Sequence, residues 1–120
     1  CRVVDTRNAI GPLGGPALAA GPSDRVFPIA GVCGIPDTAR AVAVNLTVAA
    51  PAASGQLRIY PGDTEASWIP VTTSISFGAL KTRANNAFCL LSRDGAGSLG
   101  VRNDAPDTVH FILDVVGYFD

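Results

Sequence analysis

Residues 41 to 48 alternate between branched apolar side chains and smaller ones, and this period of two constrains the fold more than any other feature. The branched side chains are Val42, Val44, Leu46 and Val48. The smaller ones are Ala41, Ala43, Asn45 and Thr47. Successive side chains of an extended chain point to opposite faces of a sheet. The segment is therefore predicted to be a β-strand with its branched face in the core and a partly covered second face.

Glycine and proline divide the rest of the chain into further short extended segments. The predicted strands are residues 2–7, 24–29, 56–60, 71–77, 84–91, 99–101 and 109–115. Pro28 predicts an edge position for the segment at 24–29, because proline donates no hydrogen bond to a neighbouring strand. No segment has the 3.6-residue period of an amphipathic helix.

This pattern predicts an all-β fold: a single-domain antiparallel β-sandwich of about eight strands, with long Gly/Pro loops such as the one at residues 11–16. A small barrel is the alternative. A length of 120 residues suits one domain, so we assign residues 1–120 to one module. Because the sequence opens directly on a strand-like segment, we interpret it as a processed unit or a piece of a longer secreted protein.

The charged residues are few and balanced, with 9 basic and 10 acidic side chains and a net charge of −1. A chain without a basic surplus gives no reason to expect nucleic acid or an anionic membrane as a partner. No apolar run approaches the roughly 20 residues of a membrane-spanning helix. There is one lysine, and lysine is a residue that keeps exposed sheet edges from pairing with other chains. The composition therefore predicts unguarded strand edges.

Three cysteines allow at most one disulfide within the chain. We favour a bond between Cys1 and Cys33, because both lie beside loop-like sequence that a covalent link would restrain. Cys89 lies in an apolar run and is predicted to be a buried thiol, with an intermolecular bridge as the alternative. The cysteines form no closely spaced pair and His110 is the only histidine. We therefore predict no metal site and no cofactor.

Several short motifs follow one another along the whole chain. Residues 1–7 read CRVVDTR, residues 11–16 GPLGGP, residues 33–36 CGIP, residues 44–48 VNLTV, residues 82–87 TRANNA and residues 111–119 FILDVVGYF. The chain resembles a family of secreted bacterial modules that begin CRVVDTR or RVLDTR and end DVVGYF, found in large extracellular proteins of acidobacteria and actinobacteria. The resemblance implies a β-rich module outside the cell or at its surface, in a family without established catalysis. Cys89 and residues 62–70 depart from the family pattern.

Charged residues near the two ends of the chain form a possible ion-pair cluster. Asp5 and Arg7 are two positions apart in an extended segment, so they share a face. If the first and last strands pair, Arg7 would meet Asp5 or Asp114 in a partly buried ion pair, because a partly buried charge needs a partner. We interpret Asp5, Arg7 and Asp114 as a structural ion pair that fastens the chain ends rather than as a binding site.

The remaining polar residues show no catalytic pattern. His110 has no plausible nucleophile nearby in sequence, and no G-x-S-x-G motif is present, so we predict a surface residue of the last strand. Asp94, Asp104 and Asp107 lie in two neighbouring loops, where oxygen ligands sometimes bind calcium, but their spacing does not match an EF-hand. We predict no catalytic residues and no enzymatic activity.

Trp68 and Tyr60 are the candidate interaction residues. Within 56–60, Leu57 and Ile59 are predicted to point inward, and Arg58 and Tyr60 outward. Trp68 lies in a predicted loop. Exposed aromatic rings of this kind stack on sugars or anchor protein interfaces.

These observations favour a non-enzymatic extracellular module with a structural or adhesive role. Its unguarded edges would accept a strand from a neighbour, so we expect a homo-oligomer or tandem units that build a surface fibre or layer. A carbohydrate-binding module that uses Trp68 and Tyr60 is the alternative. A hydrolase built around His110 is the third hypothesis.

Overall fold

Two four-stranded antiparallel sheets pack face to face in the computed structural model, which describes residues 1–70 and 73–120. The predicted all-β sandwich is confirmed. The strands, in chain order, are β1 (Arg2–Asp5), β2 (Ser23–Pro28), β3 (Ala41–Ala49), β4 (Gly55–Pro61), β5 (Ile75–Phe77), β6 (Arg83–Leu90), β7 (Ser98–Asn103) and β8 (His110–Phe119). A short 3₁₀ turn, Ala66–Trp68, lies between β4 and β5.

The strand order within each sheet decides which strands have a free side. Sheet 1 has the order β1-β8-β3-β6, and sheet 2 has the order β2-β7-β4-β5. The edges are therefore β1 and β6 in one sheet and β2 and β5 in the other. The edge position of β2 agrees with the prediction from Pro28 at its end.

The alternation of β3 matches the structure closely. Val42, Val44, Leu46 and Val48 are each at most 2% exposed, whereas the intervening side chains are half-buried. The Phe27 and Phe111 rings lie 5.8 Å apart and join β2 of sheet 2 to β8 of sheet 1 across the core. Cys89 is 7% exposed and is a free thiol packed in that core, as predicted.

Two predicted strands are shorter than expected, because polar side chains satisfy the backbone instead of a neighbouring strand. The segment predicted at 2–7 ends as a strand at Asp5, where the carboxylate accepts the Arg7 amide at 3.1 Å and turns the chain. The segment predicted at 71–77 is a strand over Ile75–Phe77. Before it, the Ser74 hydroxyl accepts the Ile59 amide at 3.0 Å. Val71 and Thr72, which were included in that prediction, lie outside the described residues.

Two restraints hold the loops that flank β1. A disulfide joins Cys1 to Cys33, the pair favoured from the sequence. Arg25 of β2 donates to the carbonyl oxygens of Gly14 at 2.8 Å and Pro16 at 2.7 Å, and its guanidinium lies 4.6 Å from the centre of the Phe27 ring. The irregular loop predicted at residues 11–16 is therefore fixed by one arginine.

Candidate interaction surface

The outer face of sheet 2 is covered by charged side chains that bind one another. The Asp24 carboxylate accepts hydrogen bonds from Arg102 at 2.7 and 2.9 Å and from the Tyr60 hydroxyl at 2.5 Å. On the same face, Arg58 donates to Asp104 at 2.8 and 3.2 Å. The hydrogen bond from Arg102 is the main reason that the pKa of Asp24 is lowered. These charged groups are paired with one another, so they stabilise the face and are not free to bind a ligand.

The prediction that Tyr60 is an exposed binding residue is wrong, because its side chain is 5% exposed. Its side chain does lie on the outer face, beside that of Arg58, as the alternation predicted. The ring lies against Gly100, where an added Cβ would come within 2.1 Å of the tyrosine Cε2. Burial, followed by the hydrogen bond to Asp24, raises the pKa of the hydroxyl far above its ordinary value.

The charged residues near the chain ends form two hydrogen-bonded ion pairs on sheet 1, and Arg2 also lies 3.9 Å from the Asp5 carboxylate. Arg7 donates to Asp5 through two nitrogens at 2.9 and 2.8 Å, and Arg2 donates to Asp114 at 2.9 Å. Asp114 therefore pairs with Arg2 rather than Arg7, because β8 places it directly opposite Arg2. The hydrogen bond from Arg7 is the largest cause that lowers the pKa of Asp5 to about 2. This geometry fits the predicted structural role.

His110 contacts a threonine that is already engaged with the backbone. The Thr6 hydroxyl accepts the Phe111 amide at 2.8 Å and shares a hydrogen bond of 3.1 Å with His110 Nδ1. Thr6 is 2% exposed. A hydroxyl enclosed in this way is not placed to attack a substrate, and the contact fastens the chain after β1 to β8. The geometry gives no support to the hydrolase hypothesis.

One corner of the outer face of sheet 1 is apolar and exposed. We call it the phenylalanine face, and its members are Phe88 (79% exposed), Leu90 (63%), Val116 (76%) and Phe119 (50%). The Phe88 and Phe119 rings meet edge to face, 5.8 Å apart. Sequence analysis missed this surface. The available signal was that residues 87–91 are apolar without a break, so that both faces of the strand carry apolar side chains, but the meaning of that pattern depends on the strand order.

The four edge strands differ in how well they are protected. β1 has four residues and β5 has three, and β2 has six residues and ends at Pro28. β6 has eight residues and pairs with β3 along its whole length. It contains no lysine or proline, two of the residues that natural proteins use to block edges, and its one charged residue is Arg83 at its first position. The predicted unguarded edge is therefore concentrated in β6, which also carries half of the phenylalanine face.

Trp68 is 76% exposed in the 3₁₀ turn that precedes β5. Because Tyr60 is buried, the two rings do not form the pair of stacking surfaces that the carbohydrate hypothesis required. Trp68 is therefore exposed without Tyr60 as a second stacking ring.

The acidic loop residues have partners within the protein. Asp94 accepts from the Ser92 hydroxyl at 2.8 Å, and Asp107 accepts the Thr108 amide at 2.7 Å. Across residues 1–70 and 73–120, no group of three or more His, Cys, Asp or Glu side chains is placed to hold a metal ion. In that same part of the chain, no helix has the length and apolar character needed to cross a membrane.

Comparison with known proteins gives a structural likeness at low sequence identity. No protein-family model matches the chain, and no curated protein matches it. Among solved structures, the chain is similar to the coat protein of Tobacco streak virus, with 16% sequence identity and a TM-score of 0.41. The alignment covers 88% of this chain and 85% of that one. We draw no functional conclusion from a likeness of that size.

Proposed function

We propose that this chain is a non-enzymatic structural module that works outside the cell and binds copies of itself along the free side of β6. The observation that carries the proposal is the length and lack of protection of that edge. Eight residues of β6 have a strand on one side, and their outer side chains are apolar near the Leu90 end. An exposed, long and apolar edge is a template for pairing with another chain.

The hydrogen-bonding groups on the free side of β6 are suited to accept a strand. The Leu91 amide donates to the Arg40 carbonyl, whereas the Asn86 amide donates only to the neighbouring Asn85 side chain. Amides of an antiparallel strand point alternately toward and away from the partner. The amides on the free side of β6 are therefore those of Ala84, Asn86, Phe88 and Leu90.

A second copy is the simplest partner for this edge. Two β6 strands that pair antiparallel are related by a two-fold axis, so each copy offers the other the same surface. Sheet 1 of one copy would then continue into sheet 1 of the next. Contacts of this kind between copies, or between tandem modules of a longer chain, would build the surface fibre or layer expected from the sequence.

The extracellular setting is supported by the disulfide and by the family resemblance. The Cys1–Cys33 bond suits an oxidising compartment, since cytosolic proteins seldom keep disulfides. A structural rather than enzymatic role is supported by the polar clusters, whose donors and acceptors bind one another. The ion pairs of Asp5, Asp24, Asp104 and Asp114 are examples.

Sedimentation velocity over a wide concentration range tests the proposal. We expect wild-type protein to form dimers or larger species. Asn86→Pro removes an amide on the free side without removing a bond to β3, so it should weaken association. Two bonds lost per pair, at about 1 kcal/mol each, correspond to more than tenfold weaker binding.

Asn86→Ala is the matched control, because it keeps the amide and should associate like wild type. A strictly monomeric wild-type protein at every concentration would contradict self-association. Unchanged association of Asn86→Pro would show that β6 is not the contact. Electron microscopy of concentrated wild-type protein distinguishes discrete particles from a fibre or layer.

A further inference from the structure

The phenylalanine face is built as rows of side chains across three neighbouring strands. In the first row, Ala41 of β3 lies between Leu90 of β6 and Phe119 of β8. In the second row, Ala43 lies between Phe88 and Gly117. Large side chains therefore stand at both sides of the first row, but at one side only of the second.

A bulge in β8 adds an apolar residue to this surface. The pairing of β8 with β3 shifts between Ala43 and Val44, which leaves Val116 as the extra residue of β8. Val116 is 76% exposed and lies beside a depression of about 440 Å³ that Ala43 and Phe88 also line. A Cβ added at Gly117 would meet no atom within 4 Å. The face therefore combines a projecting ring with an open hollow.

Polar side chains border this apolar surface on two sides. The next row along the sheet contains Asn86, Asn45 and Asp114, and Asp114 is paired with Arg2. Beyond the first row, the Thr38 hydroxyl donates to the Asp120 carboxylate at 2.8 Å. An apolar centre with a polar rim is the usual anatomy of a protein interface.

The area of the face suits the apolar centre of one side of a protein–protein interface of standard size. With about 200 Å² as the full area of a large apolar side chain, the exposed fractions of its four members correspond to roughly 500 Å². This is at the upper end of the largest apolar patch found on monomeric proteins, about 300–600 Å². Because interfaces are about 60% apolar, such a centre belongs to a contact of roughly 800 Å² per partner.

We propose that the phenylalanine face binds the same face of a second copy of this chain. This inference deepens the proposed self-association and rests on it, but it assigns a contact different from the β6 edge. A two-fold axis parallel to β3 and above Ala41 and Ala43 places Phe88 of each copy over Gly117 of the other. The Phe88 ring and the open space above Gly117 lie on opposite sides of that axis, so each can meet its counterpart in the other copy.

A variant on β8 separates this contact from the β6 edge. Val116→Lys puts a charge into the centre of the face but lies two strands away from β6. Val26→Lys is the matched control, since Val26 is an exposed valine, 49% exposed, on the outer face of sheet 2. We expect Val116→Lys to weaken the face contact at least about 100-fold, because two lysines would be buried in each pair. Val26→Lys should associate like wild type.

Crosslinking tests the register of the two copies. A Phe88→Cys chain mixed with a Gly117→Cys chain should form disulfide-linked heterodimers under mild oxidation. Within one chain the two positions are two strand spacings apart, about 10 Å, which is too far for a disulfide. Cys89 does not compete, because burial raises the pKa of its thiol to about 11. A mixture of Val26→Cys and Gly117→Cys chains gives the background.

The outcomes separate this inference from the proposed function. Association of wild type that falls in Val116→Lys but not in Val26→Lys, together with crosslinking above background, supports the face contact. Wild-type association that Val116→Lys leaves unchanged overturns the face contact and leaves self-association standing. Crosslinking at background level overturns the proposed register. A wild-type protein that is monomeric at all concentrations overturns both proposals, and equal thermal melting of the variants excludes unfolding as the cause.

Discussion

The outer faces of the two sheets differ in what covers the backbone. On sheet 2, Asp24 and Arg102 form an ion pair, and Tyr60 fills the space above Gly100. On sheet 1 the corresponding space above Gly117 is open, and its apolar neighbours Phe88 and Val116 are more than 70% exposed. The outer face of sheet 2 is covered by its own side chains, whereas that of sheet 1 leaves large apolar side chains exposed.

This contrast follows from where the chain places its few charges. Arginine side chains at five positions are engaged in ion pairs or with backbone carbonyls: Arg2, Arg7, Arg25, Arg58 and Arg102. Of the other basic residues, Lys81 and Arg83 lie just before and at the start of β6. No charged residue follows Arg83 within β6. Most of the paired arginines therefore lie on the outer face of sheet 2 and near the chain ends, and the Leu90 half of β6 carries no charge.

The largest expected effect compares the two glycines. Gly100→Ala should destabilise the protein by about 3 kcal/mol, because the new methyl group would displace the Tyr60 ring. Gly117→Ala should change the free energy of unfolding by less than about 0.5 kcal/mol, since its methyl group meets open space. Urea unfolding of dilute, monomeric protein measures both. Equal midpoints for the two variants would contradict the difference between the faces.

The next effect compares one carboxylate from each face. Asp24→Ala should cost about 2 kcal/mol, because it leaves the buried Tyr60 hydroxyl without its acceptor. Asp114→Ala should cost less than about 1 kcal/mol, since its partner Arg2 is half exposed. Unfolding curves give both values. Adding Tyr60→Phe should recover part of the Asp24→Ala loss, and a purely additive double variant would refute the assigned bond.

Acid should weaken the folded state through the carboxylates bound by arginine. The pKa of Asp5 is lowered to about 2 in the folded protein, so its contribution is present above about pH 4 and is lost as the pH falls toward 2. With allowance for the half-exposed Arg7, we expect roughly 1–2 kcal/mol. Thermal melts from pH 5 to pH 2 measure the loss. Asp5→Asn should have a flatter profile, and an unchanged slope would contradict this assignment.

The smallest expected effect concerns the phenylalanine face in the monomer. Phe88→Thr should change the free energy of unfolding of dilute protein by less than about 0.5 kcal/mol, because the ring is 79% exposed. Binding of a hydrophobic dye to the native protein should fall in the same variant. A loss above about 1 kcal/mol would indicate that the Phe119 contact stabilises the monomer and that the face is not an unpartnered surface.

The elements that sequence reasoning predicted well are those whose pattern depends on one strand at a time. The alternation in β3 is local, and burial of Val42 to Val48 follows from it. The prediction that the Tyr60 side chain points to the outer face of the sheet was also right. Its burial depends on Gly100 in a strand 40 residues later, and no pattern within 56–60 contains that information. The direction in which the Tyr60 side chain points was therefore predictable from the sequence, but its exposure to solvent was not.

The sequence predicted that the protein has an unprotected strand edge, but it did not predict which strand forms that edge. The scarcity of lysine indicated unguarded edges, but the sequence does not give the order of strands in a sheet. Strand order makes β6 an edge and places Phe88 of β6 near Phe119 of β8 through the shared partner β3. The bulge that exposes Val116 likewise arises from register between two strands that are distant in sequence.

By itself, the sequence determined an all-β chain with a branched apolar core and few cations, and it favoured one of the possible cysteine pairings. These properties follow from the alternation of side chains within single strands and from the residue composition, and neither depends on contacts between distant parts of the chain. Only the tertiary structure decided which charges pair, which aromatic ring is covered and which strand keeps a free side. Those outcomes depend on contacts between residues far apart in the chain, and such contacts exist only once the two sheets have formed and packed.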